Sequence, residues 1–278
     1  MAASTSHIKV LFFDVFGTCV NQRGTVADEL FAAAQEALKS NESINSEVGS
    51  KATQMSRERW FEFGGEWNKA DSEFVQNSIA KHNAVDWKAV DKNRIELLPE
   101  LLAQRGLVLP SGKADTPLKV GDGSLWDEKQ LEHLARVWHR LTPWPDTCQG
   151  LNLLNKRFKT AALSNTYNAL MKHMVAHGSI PFTEVYTADM FESFKPNPKV
   201  YLGAAAKIGV KPEECALVAA HLSDLKAAKA QGYYAIYVER PWEEKNPELK
   251  EEGIPDLWIK EGENGFVTVA KRLGIQAD

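Results

Sequence analysis

The chain has 278 residues, 44% hydrophobic and 25% charged, with 33 Lys and Arg against 37 Asp and Glu for a formal net charge of -4. That apolar share supports a packed core and excludes whole-chain disorder. The near-neutral balance, with no long Lys/Arg block, excludes the electrostatic footprint of a general nucleic-acid binder.

At about 150 residues per domain, the length fits two domains or one domain with a large insertion. Residues 1–9 are short and polar, and the apolar run after them stops at Asp14. This is too short for a secretion signal or for a membrane span of about 20 residues. The cysteines Cys19, Cys148 and Cys215 form no CxxC pair, so neither a disulfide framework nor a zinc knuckle is expected. A reducing, cytoplasmic setting follows as an expectation.

In chain order, 8–13 reads as a buried strand: apolar and bounded by polar residues. From about 23 to 139 the pattern turns helical, at 27–39, 46–63, 69–83, 89–105 and 128–140, with a Gly/Pro-rich joint over 110–123 and no strand. Then come helix 151–157, strand 160–163, helix 168–177, a weaker strand 184–187, helix 198–208, strand 215–219, helix 224–231, strand 234–238, a weaker strand 257–259 and helix 266–273. Strands alternating with helices predict a parallel sheet covered on both faces. The expected fold class is α/β, a doubly wound parallel sheet over 1–20 and 144–278, with an all-α lobe inserted over 21–143 after the first strand.

Ligands of open α/β sheets bind beyond the carboxyl ends of the strands. Three of the runs end there in reactive groups: Asp14-Val15-Phe16-Gly17-Thr18, Ser164-Asn165, and Ala219-Ala220-His221-Leu222-Ser223-Asp224. Lys195-Pro196 precedes the 198–208 helix. Singly, Asp14 reads as a turn residue, Ser164 as a cap and Lys195 as a surface lysine. Together at successive strand ends they bring carboxylates, a hydroxyl, an amide and an ammonium to one rim, a site suited to a small anion.

Asp14-x-Phe16-Gly17-Thr18, Leu163-Ser164-Asn165, Lys195-Pro196-x-Pro198-x-x-Tyr201 and Val218-Ala219-Ala220-His221-x-x-Asp224-Leu225 resemble, in order, the four motifs of the haloacid dehalogenase superfamily. The helical insertion resembles its cap, and the core resembles its Rossmann-like sheet. Phosphatases of that superfamily carry a second Asp two residues after the nucleophile and a magnesium-binding acid four residues before the last-motif Asp. Phe16 and Ala220 stand at those places. Magnesium needs hard oxygen ligands, so no metal and no other cofactor is expected. Both departures resemble the branch of type II L-2-haloacid dehalogenases, which expels halide unprotonated and without a metal.

The resemblance implies hydrolysis of short 2-haloalkanoic acids to 2-hydroxy acids through an aspartyl ester on Asp14. Lys195 would keep Asp14 ionised, and Asp224 would orient or deprotonate the water. Val15, Phe16, Thr18, Ser164, Asn165 and Tyr201 would bind substrate, although Tyr201 also reads as a core residue. Arg57, with Arg59 as its alternative, is the expected cap cation for the halide; the opposing reading is a solvated helix face of alternating Arg and Glu. The last motif has Ala219-x-His221 where the best-known dehalogenases have Ser-x-Asn, and His221 is open between a base and a hydrogen bond at the rim. Residues 243–252 read as a solvated loop, and the cap tryptophans as packing. Expected partners are a small haloacid and its halide, with no nucleic acid and no membrane, and the assembly is open between monomer and homodimer. The alternatives are a phosphatase or phosphonate hydrolase with a rebuilt metal site, and a catalytically silent relative that binds a small anion.

Overall fold

The computed structural model describes residues 5–82, 85–112 and 117–276. Asn83, at the end of one predicted helix, and part of the 110–123 joint lie outside the described residues. The chain divides into two compact units, residues 22–141 and residues 1–21 with 142–278.

Residues 22–141 form α1 (Gln22–Ser40), α2 (Ser46–Thr53), α3 (Arg57–His82), α4 (Trp87–Gln104) and α5 (Glu128–Ala135), followed by a 3-10 turn over Arg136–Arg140. The single helix predicted over 46–63 is two helices. The chain breaks at residues 54–56, where the Ser56 hydroxyl accepts the Arg59 N–H at 3.3 Å and so caps α3. α3 then runs on through Gly64 and Gly65 into the helix predicted over 69–83. The glycines serve close approach to α1, because a Cβ on Gly64 would lie 3.2 Å from Val26 Cγ1. Asp86 caps α4 through the Lys88 and Ala89 N–H groups, and Asp127 with Gln130 forms a capping box on α5. Trp60, Phe63, Trp67, Trp126 and Trp138 are buried in this unit, with Trp67 edge-on to Trp138 at 4.4 Å between ring centroids. The tryptophans thus form packing.

The other unit holds β1 (Val10–Phe13), α6 (Thr147–Leu154), β2 (Lys159–Ser164), α7 (Asn168–Gly178), β3 (Glu184–Thr187), α8 (Pro198–Ile208), β4 (Cys215–Ala219), α9 (Leu222–Lys229), β5 (Tyr234–Val238), β6 (Leu257–Ile259) and α10 (Gly265–Arg272). All strand pairs are parallel, in the order β3-β2-β1-β4-β5-β6. Every residue of β1 and β4 is buried, as a sheet covered on both faces requires. Alternation along β1 sends Phe12 toward Tyr233, with centroids 5.7 Å apart, and Phe13 toward Phe266, 5.0 Å apart. Each such ring contributes about 2–3 kcal/mol by burial. α8 starts on an Asn197 cap with Pro198 in its first turn and ends at Gly209 with φ 78°, the conformation glycine tolerates best. Among the described residues no helix is long and apolar enough to cross a membrane.

α6 and α10 pack closely because Gly150 has no side chain. A Cβ there would come within 2.6 Å of the Phe266 carbonyl carbon and 2.8 Å of the Val267 nitrogen, backbone atoms that cannot rotate away. Gly150→Ala is therefore expected to cost about 1–3 kcal/mol by overpacking, read as a lower urea midpoint. An unchanged midpoint would contradict this packing.

Candidate active site

The site is built where strand order reverses. Beyond β1 the chain adds β2 and β3 on one side and β4 to β6 on the other, so a crevice opens at the carboxyl ends of β1 and β4. The Asp14 N–H donates to the Val218 carbonyl at 3.0 Å and fixes this end of β1 to β4. A tight turn follows, with the Cys19 and Val20 N–H groups both on the Val15 carbonyl at 2.9 and 3.2 Å. Gly17 takes φ 75° in that turn, and a Cβ on it would run into the Glu243 carboxylate, with Cδ at 2.5 Å.

Asp14 is buried and fully engaged. Its Oδ1 accepts from the Lys195 ammonium at 2.8 Å, and its Oδ2 accepts from the Thr18 hydroxyl at 2.8 Å and lies 3.0 Å from His221 Nδ1. Lys195 also donates to Asp224 Oδ2 at 2.5 Å, and the Tyr201 hydroxyl donates to Asp224 Oδ1 at 2.6 Å. The Lys195 backbone is held by Asn165, which accepts its N–H at 2.7 Å and donates to its carbonyl at 2.8 Å. Thr18 in turn accepts the Ala220 N–H at 2.9 Å.

Burial pushes the Asp14 carboxyl up, but Lys195 and His221 outweigh it and hold the group well below the usual carboxylate range. Burial works against the charged Lys195 too, and Asp14 and Asp224 overcome it, raising its pKa. For His221 the two carboxylates at its ring, Asp14 and Glu243, overcome burial and push it up to about 10. The resting ring is therefore an imidazolium at neutral pH and a donor to Asp14. Of the two expectations for His221, the hydrogen bond is the one formed in this state. Tyr201, buried and facing Asp224, is pushed up and stays a neutral phenol.

Of the candidates read from the sequence, Asp14, Thr18, Lys195, His221, Asp224 and Tyr201 form one hydrogen-bonded cluster, with Asn165 on the Lys195 backbone. Val15 is buried in the turn, and Phe16 beside it is partly exposed. Ser164, at the end of β2, is buried, and its hydroxyl has no hydrogen-bond partner among the described residues. Arg57 lies in the helical unit, where its Nε meets Asp28 Oδ1 at 2.5 Å, while Arg59 donates to the Gln54 carbonyl at 3.1 Å. Among the described residues no group of three His, Cys, Asp or Glu side chains is placed to hold a metal ion.

Two parts of this site were not read from the sequence, and both follow β5. Glu243, assigned to a solvated loop, is mostly buried, with Oε2 3.6 Å from His221 Nε2. Its neighbour Glu244 accepts the Leu222 N–H at 2.8 Å. Arg240 donates to the Thr18 carbonyl at 3.1 Å and grips buried Asp146 at 2.6 and 2.9 Å. The available signal was position: β5 ends at Val238, and the strand-end rule used for the other runs applies to it as well.

A family model described as haloacid dehalogenase-like hydrolase matches residues 8–232, so the chain belongs to the haloacid dehalogenase-like hydrolases. It is 34% identical over 116 residues to an (S)-2-haloacid dehalogenase of Xanthobacter autotrophicus, a match covering 41% of this chain and 46% of that protein. It is 29% identical over 126 residues to a glyceraldehyde 3-phosphate phosphatase of Methanopyrus kandleri, covering 43% of this chain and 53% of that protein. The matched segments thus span about half the length of these curated relatives. A crystallised L-2-haloacid dehalogenase superposes with a TM-score of 0.67 at 27% identity, over 96% of this chain and 100% of that one.

Lys195→Met would leave two buried carboxylates without their shared cation, a loss expected to cost about 3–5 kcal/mol at pH 7. The native Asp14 pKa is depressed, so the stability it confers is present above the unfolded carboxylate pKa and fades as pH falls. The gap between variant and wild type should therefore narrow as pH falls, first as the variant's uncompensated carboxylates take up protons and then, below about pH 4, as the wild type loses the contribution of its ionised Asp14, in denaturant titrations. A gap independent of pH would contradict the pairing.

Proposed function

We propose that this hydrolase is a metal-independent dehalogenase of short 2-haloalkanoic acids. The observation that carries the reading is an ionised Asp14 held between Lys195 and His221, with Phe16 in place of an acid two residues on. A phosphate ester leaves as an alkoxide that needs a proton, whereas halide leaves with its electron pair and needs none. A phenyl ring at residue 16 therefore costs dehalogenation nothing. The names of the Xanthobacter relative and of the crystallised neighbour support the same reading.

In this mechanism an Asp14 oxygen attacks the carbon bearing the halogen, forming a C–O bond as the carbon–halogen bond breaks and inverting that carbon. The free Ser164 hydroxyl binds the substrate carboxylate. Water then attacks Asp14 Cγ and gives a proton to Asp224. The tetrahedral intermediate collapses by breaking the Cγ–O bond to the substrate, whose oxygen takes the proton from Asp224 as the 2-hydroxy acid leaves. The second proton of the water goes to solvent as the Asp14 carboxylate reforms.

Chelator-treated protein is expected to release halide from 2-chloropropionate or a haloacetate, and Asp14→Asn to lower that rate at least about 10³-fold. Magnesium-dependent release of phosphate from a generic ester, with no halide, would overturn the reading in favour of a phosphatase.

A further inference from the structure

We propose that Glu243 is a positioning residue: it keeps His221 in its imidazolium form through ester hydrolysis, so that the ring donates to the Asp14 oxygen on which negative charge develops. The proposal rests on the dehalogenase reading above and adds to it a residue outside the four motifs.

The geometry places a carboxylate at each ring nitrogen, Asp14 Oδ2 at 3.0 Å from Nδ1 and Glu243 Oε2 at 3.6 Å from Nε2. A neutral imidazole carries one N–H and no charge, whereas an imidazolium donates to Asp14 from Nδ1 and forms an ion pair with Glu243 at Nε2. The approach of Glu243 is also specially arranged. It follows Trp242, whose φ of 66° is a left-handed conformation bulky residues seldom adopt, and it occupies the space that a side chain on Gly17 would fill. Such local strain persists only where surrounding structure holds it, and it clusters at functional sites.

The neighbouring charged groups are engaged elsewhere. Lys195 sits on Asp14 Oδ1 and on Asp224. Glu244 is turned to the Leu222 N–H, and Arg240 is bound to Asp146. Among the described residues, Asp14 and Glu243 are the carboxylates that face the ring.

Their roles separate during turnover. In the resting enzyme both carboxylates favour the charged ring. When Asp14 becomes an ester its charge is gone, and Glu243 is the carboxylate that remains at the ring. Attack through Oδ1 leaves Oδ2 as the ester carbonyl oxygen, with Thr18 and His221 already on it. As water adds to Cγ, charge builds on Oδ2, and a charged donor fixed there beforehand stabilises it far better than one that must reorganise. The water proton still goes to Asp224, and His221 keeps its own.

Two readouts on Glu243→Gln test this, with Glu243→Asp as the rescue. By NMR of histidine-labelled resting protein, the His221 midpoint, expected at about 10 in the wild type, should fall by about one pH unit or more in the Gln variant and recover in the Asp variant. In a single turnover, the Gln variant should release its equivalent of halide while the aspartyl ester accumulates, seen as added mass on the protein, with hydrolysis slowed about tenfold or more. Wild-type hydrolysis in Glu243→Gln, or an unmoved His221 midpoint with halide release intact, would overturn the assignment. No halide from the wild type would overturn the dehalogenase reading and the ester step with it, and the titration would still decide whether Glu243 holds the ring.

Discussion

The site depends on one ammonium shared by two buried carboxylates. Lys195 reaches Asp14 and Asp224 at 2.8 and 2.5 Å, and all three side chains are nearly excluded from water. Burying a carboxylate alone favours its protonated form, which cannot attack carbon. Burying two side by side would be worse. Lys195 reverses the balance for Asp14, and the rest of the local structure serves that contact: Asn165 clamps the Lys195 backbone from both sides, and Tyr201 fixes the far oxygen of Asp224. The strands supply the accuracy. Asp14 and Asn165 follow the carboxyl ends of β1 and β2, and Asp224 stands in the first turn of α9 just beyond β4, so groups far apart in the chain converge from three adjacent strands without long flexible loops.

In the mechanism we propose, Asp14 meets a second requirement, because its charge disappears when the ester forms. The groups around Asp14 were arranged for a carboxylate, and an ester presents them with a neutral carbonyl. Thr18 can follow the change, since a hydroxyl donates to either. His221 can follow it only if something else favours its proton, and Glu243 is the group in place to do so. In the proposed scheme the charge on this side of Asp14 is thereby kept from tracking the state of the nucleophile.

The sheet was legible because buried parallel strands are short apolar runs, and the six runs read from the sequence are the six strands of the sheet among the described residues, four with the same bounds and β1 and β2 with ends shifted by one or two residues. Helix boundaries were harder. The break at residues 54–56 is made by Ser56, a residue also common inside helices, and the glycines at 64–65 look like a helix end until α1 is seen against them. In the site, residues carried by short motifs at strand ends were readable, since type and spacing survive in the sequence. Glu243 and Arg240 were not, because they sit in Glu239-Arg240-Pro241-Trp242-Glu243-Glu244-Lys245, where mixed charge imitates solvated surface. What distinguishes Glu243 is the backbone turn at Trp242 and its close approach to the bare Cα of Gly17, which the fold alone brings about.

In the proposed mechanism Asp14 becomes covalently bound and is regenerated by water attacking its own carbonyl carbon. One turnover in oxygen-18 water, followed by mass mapping of the peptide that contains Asp14, tests it most directly. One heavy oxygen is expected in the Asp14 carboxylate, with an unlabelled hydroxyl in the product of that turnover. An unlabelled Asp14 with the heavy oxygen in the product would mean that water attacks the substrate carbon directly, and would contradict it.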